Sequence, residues 1–253
     1  MSSTAVAALV FGCTFLGALA GLFLHARLPD SHLDADSKDV IKLVMGLIAT
    51  VAALVLGLLI SSAHRSYDAQ EAEVQQLGVN LFQLDRTLER FGEEASEARK
   101  LLHRIVVAEI EYASTGDGAG LATDKPLQAQ KEAAELFDRI ANLSPKTDAQ
   151  RFMQSQALRL LAGLGDTRLL LNEQARGSIS WPFLVVLVFW LTVLFVGFGL
   201  FARKNPTIIA ALFLGAISVG GAIFLILELN RPYGGVMQIS IAPIRNALIQ
   251  MTR

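Results

Sequence analysis

Four stretches of this chain, residues 5–24, 40–60, 181–201 and 207–227, are apolar on every side for about 20 residues each. At a rise of about 1.5 Å per residue, each can cross a hydrocarbon core about 30 Å thick. Between the second and third lies a polar middle whose apolar positions recur every three or four residues, as in helices with one buried stripe. No run of period two is long enough to build a sheet. The pattern predicts an all-α polytopic membrane protein, with two spans in residues 1–62 and a soluble helical insertion over 63–180. Two more spans follow in 181–229, then an amphipathic segment over 230–253.

No helix breaker separates the second span from the polar middle, so one continuous helix is expected to leave the membrane. Its extension carries Val74, Leu77, Leu81, Leu84, Leu88 and Phe91 in steps of three and four, a seam that ends at Gly92. Each leucine of such a seam contributes about 1.5–3 kcal/mol when buried, and packing within the chain is the expected use. Further helices are predicted over 93–113, 126–143 and 145–176, the last with Ser144 as its cap ahead of Pro145. A glycine-rich hairpin loop is predicted over 114–124 and an amphipathic helix over 240–251, able to dock on the middle domain or lie at the interface. Asp36 or Ser37 is expected to cap the second span, Ser180 the third, and Asn205 ahead of Pro206 the fourth.

The N-terminal run MSSTAVAALVFG has no positive charge, and its apolar stretch exceeds a signal-peptide core, so a retained helix is expected. With four spans, both termini and the middle domain share one side. The positive residues near the membrane give a slight bias toward placing that side in the cytoplasm, and the bacterial inner membrane is the expected location. A formal net charge of -1 and the lack of a basic patch argue against nucleic acid as a partner. The one cysteine, Cys13, sits inside the first span, so no disulfide framework or cysteine metal site can form within a chain. His25, His32, His64 and His103 are scattered without metal-ligand or nucleophile spacing, and each is expected at a surface or interface. No catalytic residue, metal or cofactor is predicted, and the spans lack the paired Asp or Ser and His groups an intramembrane hydrolase needs.

Drawn on a helix, the second span separates one narrow face from the rest. Asp39, Lys42, Gly46, Thr50, Ala53, Gly57, Ser61 and His64 fall within about 100° of arc, small or polar throughout, while the remaining positions are Leu, Val and Ile. A close helix crossing in lipid explains Gly46, Ala53 and Gly57. A water-filled pore accounts also for Thr50 and Ser61 within it, Asp39 and Lys42 at one mouth and His64 at the other. The residues alone leave both readings open. After the fourth span, LELNRPYGG brings Glu228, Asn230 and Arg231 to the membrane boundary, where Glu228 and Arg231 can pair across three residues as a structural junction.

The segments DVIKLVMGLIATVAALVLGLLISSA, SYDAQEAEVQQL and LELNRPYGGVMQIS resemble the bestrophin-like domain family of bacterial membrane proteins, over nearly the whole chain. Through it the chain is more remotely similar in layout to bestrophins. That resemblance implies a homo-oligomeric ion channel in the lipid bilayer, a pentamer being favoured. The second membrane helix would face the axis and permeant ions, with the middle domain cytoplasmic. Bestrophin pores narrow at bulky apolar side chains, whereas the strip offers Gly, Thr and Ala, and no acidic cluster matches a calcium clasp. Asp39 and Lys42 have opposite signs at one mouth, so charge does not argue for anions or cations. The alternative is a non-conducting scaffold or sensor whose soluble helices bind a partner. A transporter is the weakest reading, since no discontinuous helix pair or inverted repeat is evident.

Overall fold

The structure is a computed structural model that describes residues 2–27, 35–114, 127–176, 181–202, 204–231 and 235–252. The predicted 114–124 loop, Ser180 and His32 fall wholly or largely outside these residues. The chain is all α, with no strand among the described residues. Among the described residues eight α-helices follow in order: α1 Ser3–His25, α2 Ala35–Phe91, α3 Ser96–Ser114, α4 Leu127–Ala141, α5 Asp148–Arg176, α6 Trp181–Phe201, α7 Pro206–Leu229 and α8 Ala242–Met251. Four of them, α1, α2, α6 and α7, are long and apolar enough to cross a membrane. Contacts divide the chain into two compact units, one of residues 1–65 and 178–230, the other of 66–177 and 231–253.

Several ends differ from the sequence reading for local reasons. Asp36 and Ser37 lie inside the first turn of α2, which starts at Ala35, so neither is its cap. The fifth helix begins at Asp148, three residues later than expected, because Thr147 and not Ser144 caps it. The Gln150 amide N–H donates to Thr147 Oγ1 at 3.1 Å, and Gln150 Oε1 accepts from the Lys146 N–H at 2.8 Å, a near variant of a Thr-x-x-Gln capping box. Asn205 does cap α7, accepting from the Thr207 N–H at 3.1 Å, with Pro206 at the first helical position. Gly92 ends α2 at φ 116°, a left-handed conformation that disfavours any side chain.

In the first unit α1 lies against α6 and α7. A Cβ added to Gly21 would collide with the Val196 carbonyl oxygen, and one added to Gly199 with that of Ala18, so both glycines are required for the two backbones to touch. Gly220 of α7 faces Phe11 and the Ala7 carbonyl, each 3.3 Å from an added Cβ. Phe213 meets the rings of Phe11 and Phe15 edge-on at 5.5 and 5.4 Å.

The second unit is a helical bundle with its own core. Val74, Leu77, Leu84, Leu88 and Phe91 of α2 bury their side chains with Leu101, Leu102 and Val106 of α3, Leu136 and Ile140 of α4, and Leu171 of α5. The predicted seam therefore serves packing within the chain. α8 docks on this core through Ile244 and Met251, and its C-terminal carbonyls are met by arginines. Arg86 donates to the Gln250 carbonyl at 3.2 Å and Arg99 to that of Met251 at 3.2 Å. Arg99 also grips the buried Asp85 carboxylate in two bonds of 2.7 and 2.9 Å, and His103 Nε2 lies 2.8 Å from the same group. His103 is thus part of a half-buried ionic cluster, because its neighbour across the seam is a carboxylate that needs partners.

Candidate functional site

The membrane part of α2 has three faces, set by an advance of about 100° per residue. One carries Met45, Ala52 and Ala63 with Ala49, Leu56 and Leu59 at its flanks. It packs inside the unit: Ala52 and Ala63 are buried, and Met45 fills the space beside Gly197. A second face is a ridge of exposed leucines, with Leu43, Leu47, Leu54 and Leu58 between 64% and 75% exposed. The third is the small and polar strip. Of its eight members, Asp39, Lys42, Gly46, Thr50, Ala53, Gly57, Ser61 and His64, every one is exposed, and Ile60 borders the strip on one edge as Leu43 and Leu54 do on the other.

A Cβ added to Gly46 or Gly57 meets nothing within 4 Å. These glycines therefore do not serve a helix crossing inside the chain, unlike Gly21 and Gly199. Only 6% of the apolar stretch of α2 is buried, against 39% in α1 and 33% in α6. A helix so apolar and so little covered has either lipid or another molecule against most of its surface.

The polar members of the strip are held locally. Thr50 Oγ1 donates to the Gly46 carbonyl at 2.9 Å, which leaves its oxygen free to accept from water. Ser61 Oγ accepts from Arg65 Nη1 at 2.6 Å, so a guanidinium stands at that end of the strip beside exposed His64. At the other end Lys42 Nζ and Asp39 Oδ1 pair at 3.1 Å, both well exposed. Lys42 and Gly46 also border a cleft of about 720 Å³ whose other walls include Phe195, Phe198 and Leu212.

Helical periodicity isolates the strip but does not place it against the chain's own bundle. Directly opposite Met45, Ala52 and Ala63 stands Leu54, about 180° away, flanked by Thr50 and Ser61 at about 20–40°. Lys42 and Ala53 lie nearer the intrachain face, about 70° from it. Leu54 was hidden because its neighbours in sequence are equally apolar, and only the packed face shows which way each of them turns. Of the junction residues, Glu228 is buried near the end of α7 at 4% exposure, and Asn230 caps that helix, its backbone N–H meeting the Glu228 carbonyl. Arg231 is exposed, in the other unit.

The model of the Bestrophin-like domain matches residues 12–244 of the chain. The chain belongs to the bestrophin-like family. The bestrophin-like fold is shared with solved bacterial bestrophin homologues from Klebsiella pneumoniae. A point mutant of that protein is 13% identical, with 96% of this chain and 97% of that one covered at a TM-score of 0.67. A further structure of the homologue is 14% identical, with 95% and 96% covered at a TM-score of 0.64. At such identities the likeness speaks to fold. No curated protein matches the sequence.

Proposed function

We propose that this bestrophin-like protein is a homo-oligomeric ion channel, a pentamer, whose α2 helices surround a central aqueous pore. The observation that carries the reading is the exposed strip of α2, at whose glycines an added Cβ meets nothing within 4 Å among the described residues. If each copy keeps its own bundle on the outside of a ring, the arc opposite that bundle faces the axis. Thr50, Gly57 and Ser61 then line the pore with Leu54 beside them, while Lys42, Gly46 and Ala53 turn toward the neighbouring copy. Asp39, paired with Lys42, stands at one mouth and His64 at the other, so both ends are polar. Thr50 and Ser61 supply hydroxyls where an ion has shed part of its water, and Leu54 narrows the passage. The bacterial inner membrane, with residues 63–180 in the cytoplasm, is the proposed setting.

Currents across a planar bilayer holding the purified protein test this. Thr50→Trp and Gly57→Leu should cut unitary conductance with the oligomer intact by size-exclusion chromatography, and Leu54→Ala should raise it. Loss of the oligomer in both bulky variants, with no current from the unaltered protein, would make the strip a packing seam of a non-conducting scaffold.

A further inference from the structure

The soluble unit holds a cavity of about 340 Å³ among α2, α3, α4, α5 and α8. Its walls are apolar: Leu77, Leu102, Val106, Leu136 and Ile244 are buried core residues that turn part of their surface to it. Small residues stand at its open side, Ala133 on α4 and Ala162 and Gly165 on α5, all three exposed. A Cβ at Gly165 would meet nothing within 4 Å. Three polar side chains reach the lining, Glu109, Gln130 and Arg168, and Glu109 and Arg168 form an ion pair with each other. Burial pushes the Arg168 guanidinium down to about 10, which still leaves it charged at neutral pH.

The cavity opens to solvent past exposed Ala133, Phe137, Ala162 and Gly165, and its apolar walls lack dispersion partners as long as no apolar guest meets them. Water is a poor filler, since each molecule needs two to four polar partners and the few here cluster at one ion pair. The volume falls at the small-ligand end of natural binding pockets. The ion pair decides the class of guest. An anionic head would meet the Glu109 carboxylate and a cationic head the Arg168 guanidinium, so neither charge is favoured. An uncharged polar end can accept from the guanidinium or donate to the carboxylate without separating them.

We propose that this cavity is a binding site for a small uncharged amphiphile, an apolar chain ending in one hydroxyl or carbonyl, held with its polar end at Glu109 and Arg168. Occupancy stiffens the contact of α4 and α5 with α2 and α8, and the proposal stands whether or not the protein conducts.

The test is photolabelling of the full-length protein in phosphatidylcholine nanodiscs with a medium-chain alcohol bearing a diazirine, followed by peptide mass spectrometry. Saturable labelling of the α3, α4 and α5 residues that line the cavity is expected, competed by the unlabelled alcohol. Gly165→Leu puts a side chain at the lining where an added Cβ meets nothing within 4 Å and replaces a poor helix former, so it should fold and lose at least tenfold of that labelling. The carboxylate of the same chain should label severalfold less than the alcohol. Labelling confined to the membrane helices, or unchanged by Gly165→Leu, overturns the proposal. Labelling that arises only when the oligomer is dissociated also overturns it, and assigns the cavity to a second copy.

Discussion

Gly199 and Gly57 both lie in helices long and apolar enough to cross a membrane, yet a side chain fares oppositely at the two. At Gly199 it would strike the backbone of α1, whereas at Gly57 it would meet nothing. The first glycine is explained within one chain, because two helices in lipid gain van der Waals contact only when their backbones approach. The second has no such explanation there. Small residues that look alike in sequence thus divide into those the fold of one chain has used and those left facing outward, and it is the outward set that the channel reading draws on.

The contrast breaks most sharply under substitution. Gly199→Leu should destabilise the membrane unit by more than about 4 kcal/mol, since neither backbone can move aside without parting α1 from α6. Gly57→Leu should leave the folded monomer intact. Size-exclusion profiles and thermal unfolding in detergent compare the two, and equal losses would erase the distinction.

The same contrast runs along α2, whose residues 74–91 bury one stripe in the soluble unit while residues 42–61 bury little. Asp85→Ala should cost about 3–5 kcal/mol, because it leaves Arg99 and His103 half buried without the carboxylate they share and loosens the cap on α8. Faster amide exchange in α8 and in residues 85–103 would register it, with the membrane helices unchanged. Exchange altered equally in α1 would contradict the division into units.

Acid should have the smallest effect. Hydrogen bonds from Arg86, Lys146 and Lys100 hold the carboxyls of Glu89, Glu94 and Glu97 below the usual carboxylate range. Groups lowered on folding contribute stability that is complete above their ordinary value near 4.5 and fades as pH falls through the lowered one. All three are at the surface, where solvent screens the pairs, so the unfolding temperature of the soluble unit should slip only slightly below pH 4.5. A steep fall beginning at pH 6 would point to another group.

The sequence by itself determined the four spans, the all-α class, the seam from Val74 to Phe91 and the isolation of the strip on α2, because each is a matter of local periodicity. It missed the Thr147 cap, whose Thr-x-x-Gln signal was present but overshadowed by Ser144 and Pro145. Only the tertiary structure decided which small residues are spent inside the chain, that Leu54 stands opposite the packed face, and that His103 and Asp85 meet. Those outcomes depend on where one helix lies against another, and a repeat of three or four residues sets a face without naming what covers it.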